Sequence, residues 1–331
     1  MGVKGFIRAV QAAQRQAERE AKRRQRELER QQKEYAKMQK LERAVYEVEC
    51  YENKIDLLLS IHKECGNVWD WEEIQKSKAP TKPSKNNQKK VIAKMELENF
   101  KPGIFIRLFG RTEIKRNNLI EAINVAKKQD ENDYQDSVKL YEQKSKDWEE
   151  SQSLAEKILS GDSDAYYKAI KEINPFSEIN QIGSEIDFNI INTFLIEATL
   201  KPNSEKVIPN ETKSLLTSGK LSVKKMPKGY FYELYQDYVC GCILRVSREL
   251  FALLPVEMVI IHAIGNLLNS KTGNLEEKTI LSAAIPRKTL ETFNFDMLDP
   301  SDSMDNFVHK MNFKKSKSFE AVEKINPSDL K

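Results

Sequence analysis

The chain has 331 residues, of which 40% are hydrophobic and 31% charged, and its formal net charge is +4. That length allows two or three units, and so modest a charge excludes the global field that by itself marks a nucleic-acid-binding chain. Four cysteines, at positions 50, 65, 240 and 242, exclude a dense disulfide framework.

The first predicted element is a helix over residues 6–62, a stretch without proline. Its Glu, Lys, Arg, Gln and Ala residues give up little rotamer freedom in a helix. At 1.5 Å per residue it would be a rod of about 85 Å, which needs a partner along its length. Apolar residues recur from Leu28 onward through Tyr35, Met38, Leu41, Val45, Val48, Ile55 and Leu58, a seam close to heptad spacing. Before the seam, Phe6, Val10, Ala13 and Ala17 form a small apolar edge among arginines. Eight basic residues stand against five glutamates between Arg15 and Glu34. Such a run is either a solvated face or a tether to an anionic membrane surface or nucleic acid.

Next come Trp69-Asp70-Trp71 and a linker over 76–90, with six lysines and no acid. A short helix and the turn Lys101-Pro102-Gly103 lead into a tip at 100–110. If exposed, the tip would mark a partner or membrane contact through Phe105, Leu108 and Phe109. The preferred expectation is a covered knob, with Trp69, Trp71 and Ile74 over Ile104, Phe105, Leu108 and Phe109. A second helix is predicted over 112–160, where Ile120, Tyr134, Tyr141 and Trp148 repeat in multiples of seven. Folding back antiparallel, it would place Tyr134 near Lys40 and Trp148 near Arg26.

After Gly161 the texture changes. Asp162-Ser-Asp-Ala opens a short helix that ends at Asn174-Pro175. Strands are predicted at 185–190 and 193–200, then a polar loop over 201–228. Residues 230–254 read as a central, largely buried helix stopped by Pro255. The apolar run 256–264 reads as an interior strand, 280–285 as another, and 303–311 as a terminal helix. The expected fold is therefore mixed α+β. A long antiparallel coiled-coil hairpin occupies residues 1–165, and a compact α/β domain with a mixed sheet around one long buried helix occupies 166–331.

Chemistry is sparse. With histidines only at 62, 262 and 309, His-dependent catalysis has few candidates, and no resident metal or cofactor is expected. Cys240-Gly-Cys242 lacks the two-residue spacer of a zinc knuckle or redox pair and reads as buried small hydrophobes. Asp187 and Glu197 lie on successive predicted strands, and Glu211-Thr-Lys213 follows. This order resembles the PD-(D/E)xK nucleases. The resemblance implies carboxylates holding magnesium and a lysine orienting the attacking water. Here Glu211 follows Pro209-Asn210 in a polar stretch, where that motif belongs on a hydrophobic strand. The plain alternative makes these residues surface charges. Lys220, Lys224, Lys225 and Lys228 could grip phosphates of nucleic acid or nucleotide.

The leading expectation is an intracellular, cytoplasmic, non-enzymatic interaction or assembly protein. Its coiled-coil arm would engage a protein partner or self-associate. The alternative is a magnesium-dependent nuclease; nucleic-acid and peripheral membrane contacts rank behind. The most apolar run, 250–264, is interrupted by Pro255, Glu257 and His262 and is too short to span a bilayer.

Overall fold

A computed structural model describes residues 40–176 and 185–330, with the side chains of Lys40 and Phe105 outside that set. The basic extension before residue 40 and the partner position Arg26 lie outside the described residues. In chain order the helices before the sheet are α1 (Lys40–Leu59), α2 (Trp71–Gln75), α3 (Gln88–Glu98), α4 (Ile104–Leu108), α5 (Thr112–Leu159) and α6 (Ser163–Ile173). Then follow β1 (Glu185–Asn192), β2 (Leu195–Lys201), β3 (Glu211–Leu215), β4 (Leu221–Lys225), α7 (Lys228–Leu253), β5 (Met258–Leu268), β6 (Leu275–Pro286), α8 (Arg287–Leu290), β7 (Val308–Lys314) and β8 (Ser318–Glu320). The described chain divides into two compact units, residues 72–155 and residues 40–71 with 156–330.

Within the helical unit, the 48-residue α5 forms as its uninterrupted run of helix formers predicts. The segment lying along it is 74–98. Gln152 Nε2 donates to Ile74 O at 2.6 Å, and Trp148 Nε1 to Ser77 O at 3.1 Å. Lys85 pairs with Glu131 and sits over the Tyr134 ring, while Lys89 pairs with Asp133 at 2.5 Å. Tyr134 and Trp148, which the sequence reading offered to the first rod, are thus engaged by residues 77–85. Asp130 fixes the register. Its carboxylate accepts from Lys89 N and Lys90 N at 3.2 and 2.9 Å, capping the N-terminus of α3, whose own N-cap Asn87 supplies no side-chain bond.

In the other unit α1 packs against β3, β4 and α7. Lys213 Nζ lies 2.9 Å from Glu47 Oε2. At the chain beyond α1, a Cβ on Gly241 of α7 would come within 2.7 Å of Ile61 Cγ2, so glycine is required for that approach. Arg248 holds the turn by donating to the carbonyls of His62 and Lys63 at 2.6 and 2.8 Å. Arg287 does the same for the end of α7, bonding the carbonyls of Phe251 and Val256 at 3.0 and 2.7 Å.

The main sheet has the order β1-β2-β5-β6-β7-β8, with β2 and β5 parallel and the other pairs antiparallel. One face carries Ile196, Ala198, Leu200, Val259, Ile261, Ala263, Leu281, Ala283 and Ile285, all buried. Helix α7, which connects the parallel pair, is itself buried at 17 of its 26 positions. The opposite face is covered by the C-terminal segment, where Ile325 forms a cluster with Ile260 and Ala284, flanked by Leu195, Met258 and Leu330. Burial on both faces explains why Val259–Ala263 of β5 is apolar except at His262.

Two expectations need correction. The loop predicted over 201–228 contains the β3–β4 hairpin, closed at Gly219 with φ +74°. Its strands are polar because they form a separate two-stranded sheet outside the main core. The helix predicted over 303–311 is a 3-10 turn at Asp302–Asn306 followed by β7. Asp299 does start the turn, its carboxylate accepting from Ser301 N and Asp302 N. Pairing of Val308–Met311 with β6 then overrides the helical reading.

Candidate functional site

The residues offered for nuclease chemistry are distributed over two sheets. Asp187 on β1 and Glu197 on β2 share one face of the main sheet, opposite Thr199 and Asn189 respectively. Glu211 and Lys213 lie on β3, in the hairpin sheet, opposite Lys225 and Val223. Lys213 is paired with Glu47 and Glu197 with His262, each at 2.9 Å. Among the described residues, no group of three or more His, Cys, Asp or Glu side chains is arranged to hold a metal ion.

The four lysines are likewise spread out. Lys220 lies in the hairpin turn, Lys224 and Lys225 face Thr212 and Glu211 across the ladder, and Lys228 opens α7 with its ammonium 5.4 Å from the Tyr232 ring centroid. Cys240 and Cys242 are fully buried on α7; burial pushes the Cys242 thiol up to about 12 and raises that of Cys240 as well. Neither is a thiolate nucleophile at neutral pH.

Strand register creates a constellation that the sequence reading missed. Glu197 on β2, His262 on β5 and Ser282 on β6 lie on the face covered by the C-terminal segment. His262 Nε2 is 2.9 Å from Glu197 Oε1, and Nδ1 is 2.8 Å from Ser282 Oγ, which accepts from Ile325 N at 3.0 Å. One tautomer satisfies the whole row. Neutral His262 donates through Nε2–H to the carboxylate and accepts at Nδ1 from the Ser282 hydroxyl. Burial lowers the His262 pKa, and the Glu197 hydrogen bond opposes that shift. The residue types are those of a hydrolase triad, but Ser282 has no exposed surface and its oxygen is held by the covering segment. The row can tie the C-terminal segment to the sheet; it does not present a nucleophile.

The second feature is at the end of the helical unit. Ile104 is 82% exposed, Leu108 76% and Phe109 69%. The covered knob expected from the sequence does not form. Trp69 and Trp71 instead stack on each other with ring centroids 5.3 Å apart, and Trp71 Nε1 donates to Leu253 O. The local cause is the shortness of α4, whose five residues turn Ile106 partly inward and leave Ile104 and Leu108, four apart, on an outer face. Phe105 lies on the same short helix, its side chain outside the described set. Val91, Ile92 and Met95 on α3 and Ile114 on α5 are likewise exposed.

No protein-family model matches the chain, and neither does any curated protein or solved structure compared with it. Among the described residues, no helix is long and apolar enough to cross a membrane.

Proposed function

We propose that this is a non-enzymatic interaction or assembly protein, in which a folded α/β unit accompanies a helical arm whose tip is the contact surface. The observation that carries the reading is the exposure of Ile104, Leu108 and Phe109 at the tip. Large apolar side chains grouped at one end of an element mark a contact site, whereas scattered ones are ordinary. Self-association of the arm as a coiled coil belongs to the same reading, through the exposed Ile120, Val125 and Leu140 of α5. The nuclease alternative has less behind it, because its four residues fall on two sheets and two of them are already paired.

The test is native-size fractionation of cells that make the protein, comparing the wild type with the Ile104→Ser/Leu108→Ser/Phe109→Ser variant. The wild type should run in a species much larger than the 38.3 kDa chain, and the variant should be released from it with unchanged helix content. Co-fractionation of the variant with the wild type would remove the reading.

A further inference from the structure

The tip carries a second signature besides its apolar residues. Between residues 89 and 116 there are eight basic residues (Lys89, Lys90, Lys94, Lys101, Arg107, Arg111, Lys115, Arg116) and three acidic ones (Glu96, Glu98, Glu113), a local excess of five positive charges. Their pairing divides by position. Near the start of α3, Lys89 is bound to Asp133. Toward the turn, Lys94, Lys101, Arg107, Arg111, Lys115 and Arg116 are exposed, and among the described residues none has a carboxylate within ion-pair distance. Among the described residues, the apolar residues are thus accompanied by cations without an ion-pair partner.

From this geometry we infer that the tip docks on an anionic lipid surface, with Ile104, Leu108 and Phe109 entering the interface and the surrounding cations meeting acidic headgroups. The inference rests on the tip being the contact surface and names what it contacts. A second copy of the chain is disfavoured as the occupant, because tip-to-tip contact would bring two uncompensated positive clusters together. A lipid interface suits the arrangement because it accepts apolar side chains to a depth of about 5–10 Å while attracting Lys and Arg at its surface. Val91, Ile92 and Met95 on α3 and Ile114 on α5 are exposed as well.

The experiment is co-sedimentation of the full-length protein with phosphatidylcholine vesicles, with or without phosphatidylserine. Binding should require phosphatidylserine and weaken as salt rises. Replacing Lys101, Arg107 and Arg111 by Gln should lower the partition coefficient about a hundredfold, at about fivefold per cation removed. The Ile104→Ser/Leu108→Ser/Phe109→Ser variant should lose binding at all lipid compositions. An environment-sensitive fluorophore at an introduced cysteine, Leu108→Cys, should shift to the blue on anionic vesicles; because the native cysteines also label, the same labelling without Leu108→Cys is the control.

Absence of vesicle binding, or binding unchanged in both tip variants, overturns the lipid assignment; the latter result would place binding elsewhere on the chain. If vesicles are not bound but the serine variant is still released from its native assembly, the contact surface stands and its occupant is a protein. The two readings therefore fail separately.

Discussion

The two units are stabilised by different means. Between residues 72 and 155 the buried hydrophobic residues, among those described, are Ile74, Ala93, Ala126, Leu154 and Ala155, three of them alanines that contribute little transfer free energy. In the α/β unit, 17 of the 26 residues of α7 and five consecutive residues of β5, Val259–Ala263, are buried. The helical unit compensates with polar contacts of defined register: Asp130 on the start of α3, Trp148 on Ser77 and Gln152 on Ile74. A core can exclude water wherever apolar surface meets, whereas a two-helix strip has one narrow seam. Several of its apolar side chains face outward, and the most exposed of them are at the tip.

The largest separation between the units is expected from a core truncation. Ile260 is fully buried and clustered with Ala284 and Ile325, so Ile260→Ala should cost about 3 kcal/mol. Hydrogen exchange checks it: amides of β5 and β6 should lose protection while those of α3 and α5 keep theirs. Equal loss in both would mean that the helical unit takes its stability from the α/β core.

The polar row gives the next effect and a pH dependence. His262→Leu removes the acceptor of the Ser282 hydroxyl and the donor to Glu197, which should cost about 1–3 kcal/mol. The native pKa of His262 lies below its ordinary 6.5 because burial disfavours the charged ring. The unfolded chain therefore binds more protons between those values, and this contribution is present above about 6.5 and lost as pH falls. His62, also buried, shifts the same way, chiefly by desolvation. Asp237 opposes them: desolvation pushes its carboxyl up to about 6, so its contribution is present below 3.8 and lost as pH rises through about 6. As pH falls from 7.5 to 5, the urea midpoint of His262→Leu should rise relative to that of the wild type, because the variant lacks the loss that His262 contributes. An identical slope would show that His262 does not change charge over that range.

A smaller change should single out the helical unit. Asp130→Ala removes the carboxylate that caps α3 and should cost about 1 kcal/mol. Far-ultraviolet circular dichroism and exchange of the α3 amides would report fraying at that terminus. No change would mean that the ion pairs of Lys85 and Lys89 alone set the register.

How much of this was legible follows from the physics of each element. Helix α7 and strand β5 are legible because extensive burial leaves a predominantly apolar signature. Helix α6 was readable from its ends, with Asp162 as the N-cap and Asn174 in the left-handed conformation. The β3–β4 hairpin was not, since strands outside a core need no apolar alternation and its charges resembled a loop. Exposure of the tip is not legible, because a cluster of large apolar residues ordinarily finds cover within the chain. The Glu197–His262–Ser282 row spans three strands, and only register brings it to one face. One signal was available: His262 and Ser282 each interrupt an apolar strand, and polar side chains at buried positions require partners.

The smallest predicted effect bears on the residue to which the nuclease resemblance assigned the most chemistry. Lys213 and Glu47 are 29% and 27% exposed and lie 2.9 Å apart, joining the hairpin to α1. A partly exposed ion pair recovers little net free energy, because its Coulomb attraction is screened and two long side chains must be held in one geometry. Lys213→Met, Glu47→Gln and the double variant form a cycle whose coupling should be about 0.5 kcal/mol. That value would make the pair a minor fastening between α1 and β3. Coupling several times larger would require the pair to be shielded from solvent, and the α1–hairpin contact would then resemble the α/β core more than the polar strip along α5. A catalytic lysine predicts a different outcome, in which Lys213→Met leaves stability unchanged and abolishes magnesium-dependent cleavage of DNA by the full-length protein. Stability and cleavage measured on the same three variants therefore decide whether Lys213 fastens the hairpin or serves a reaction.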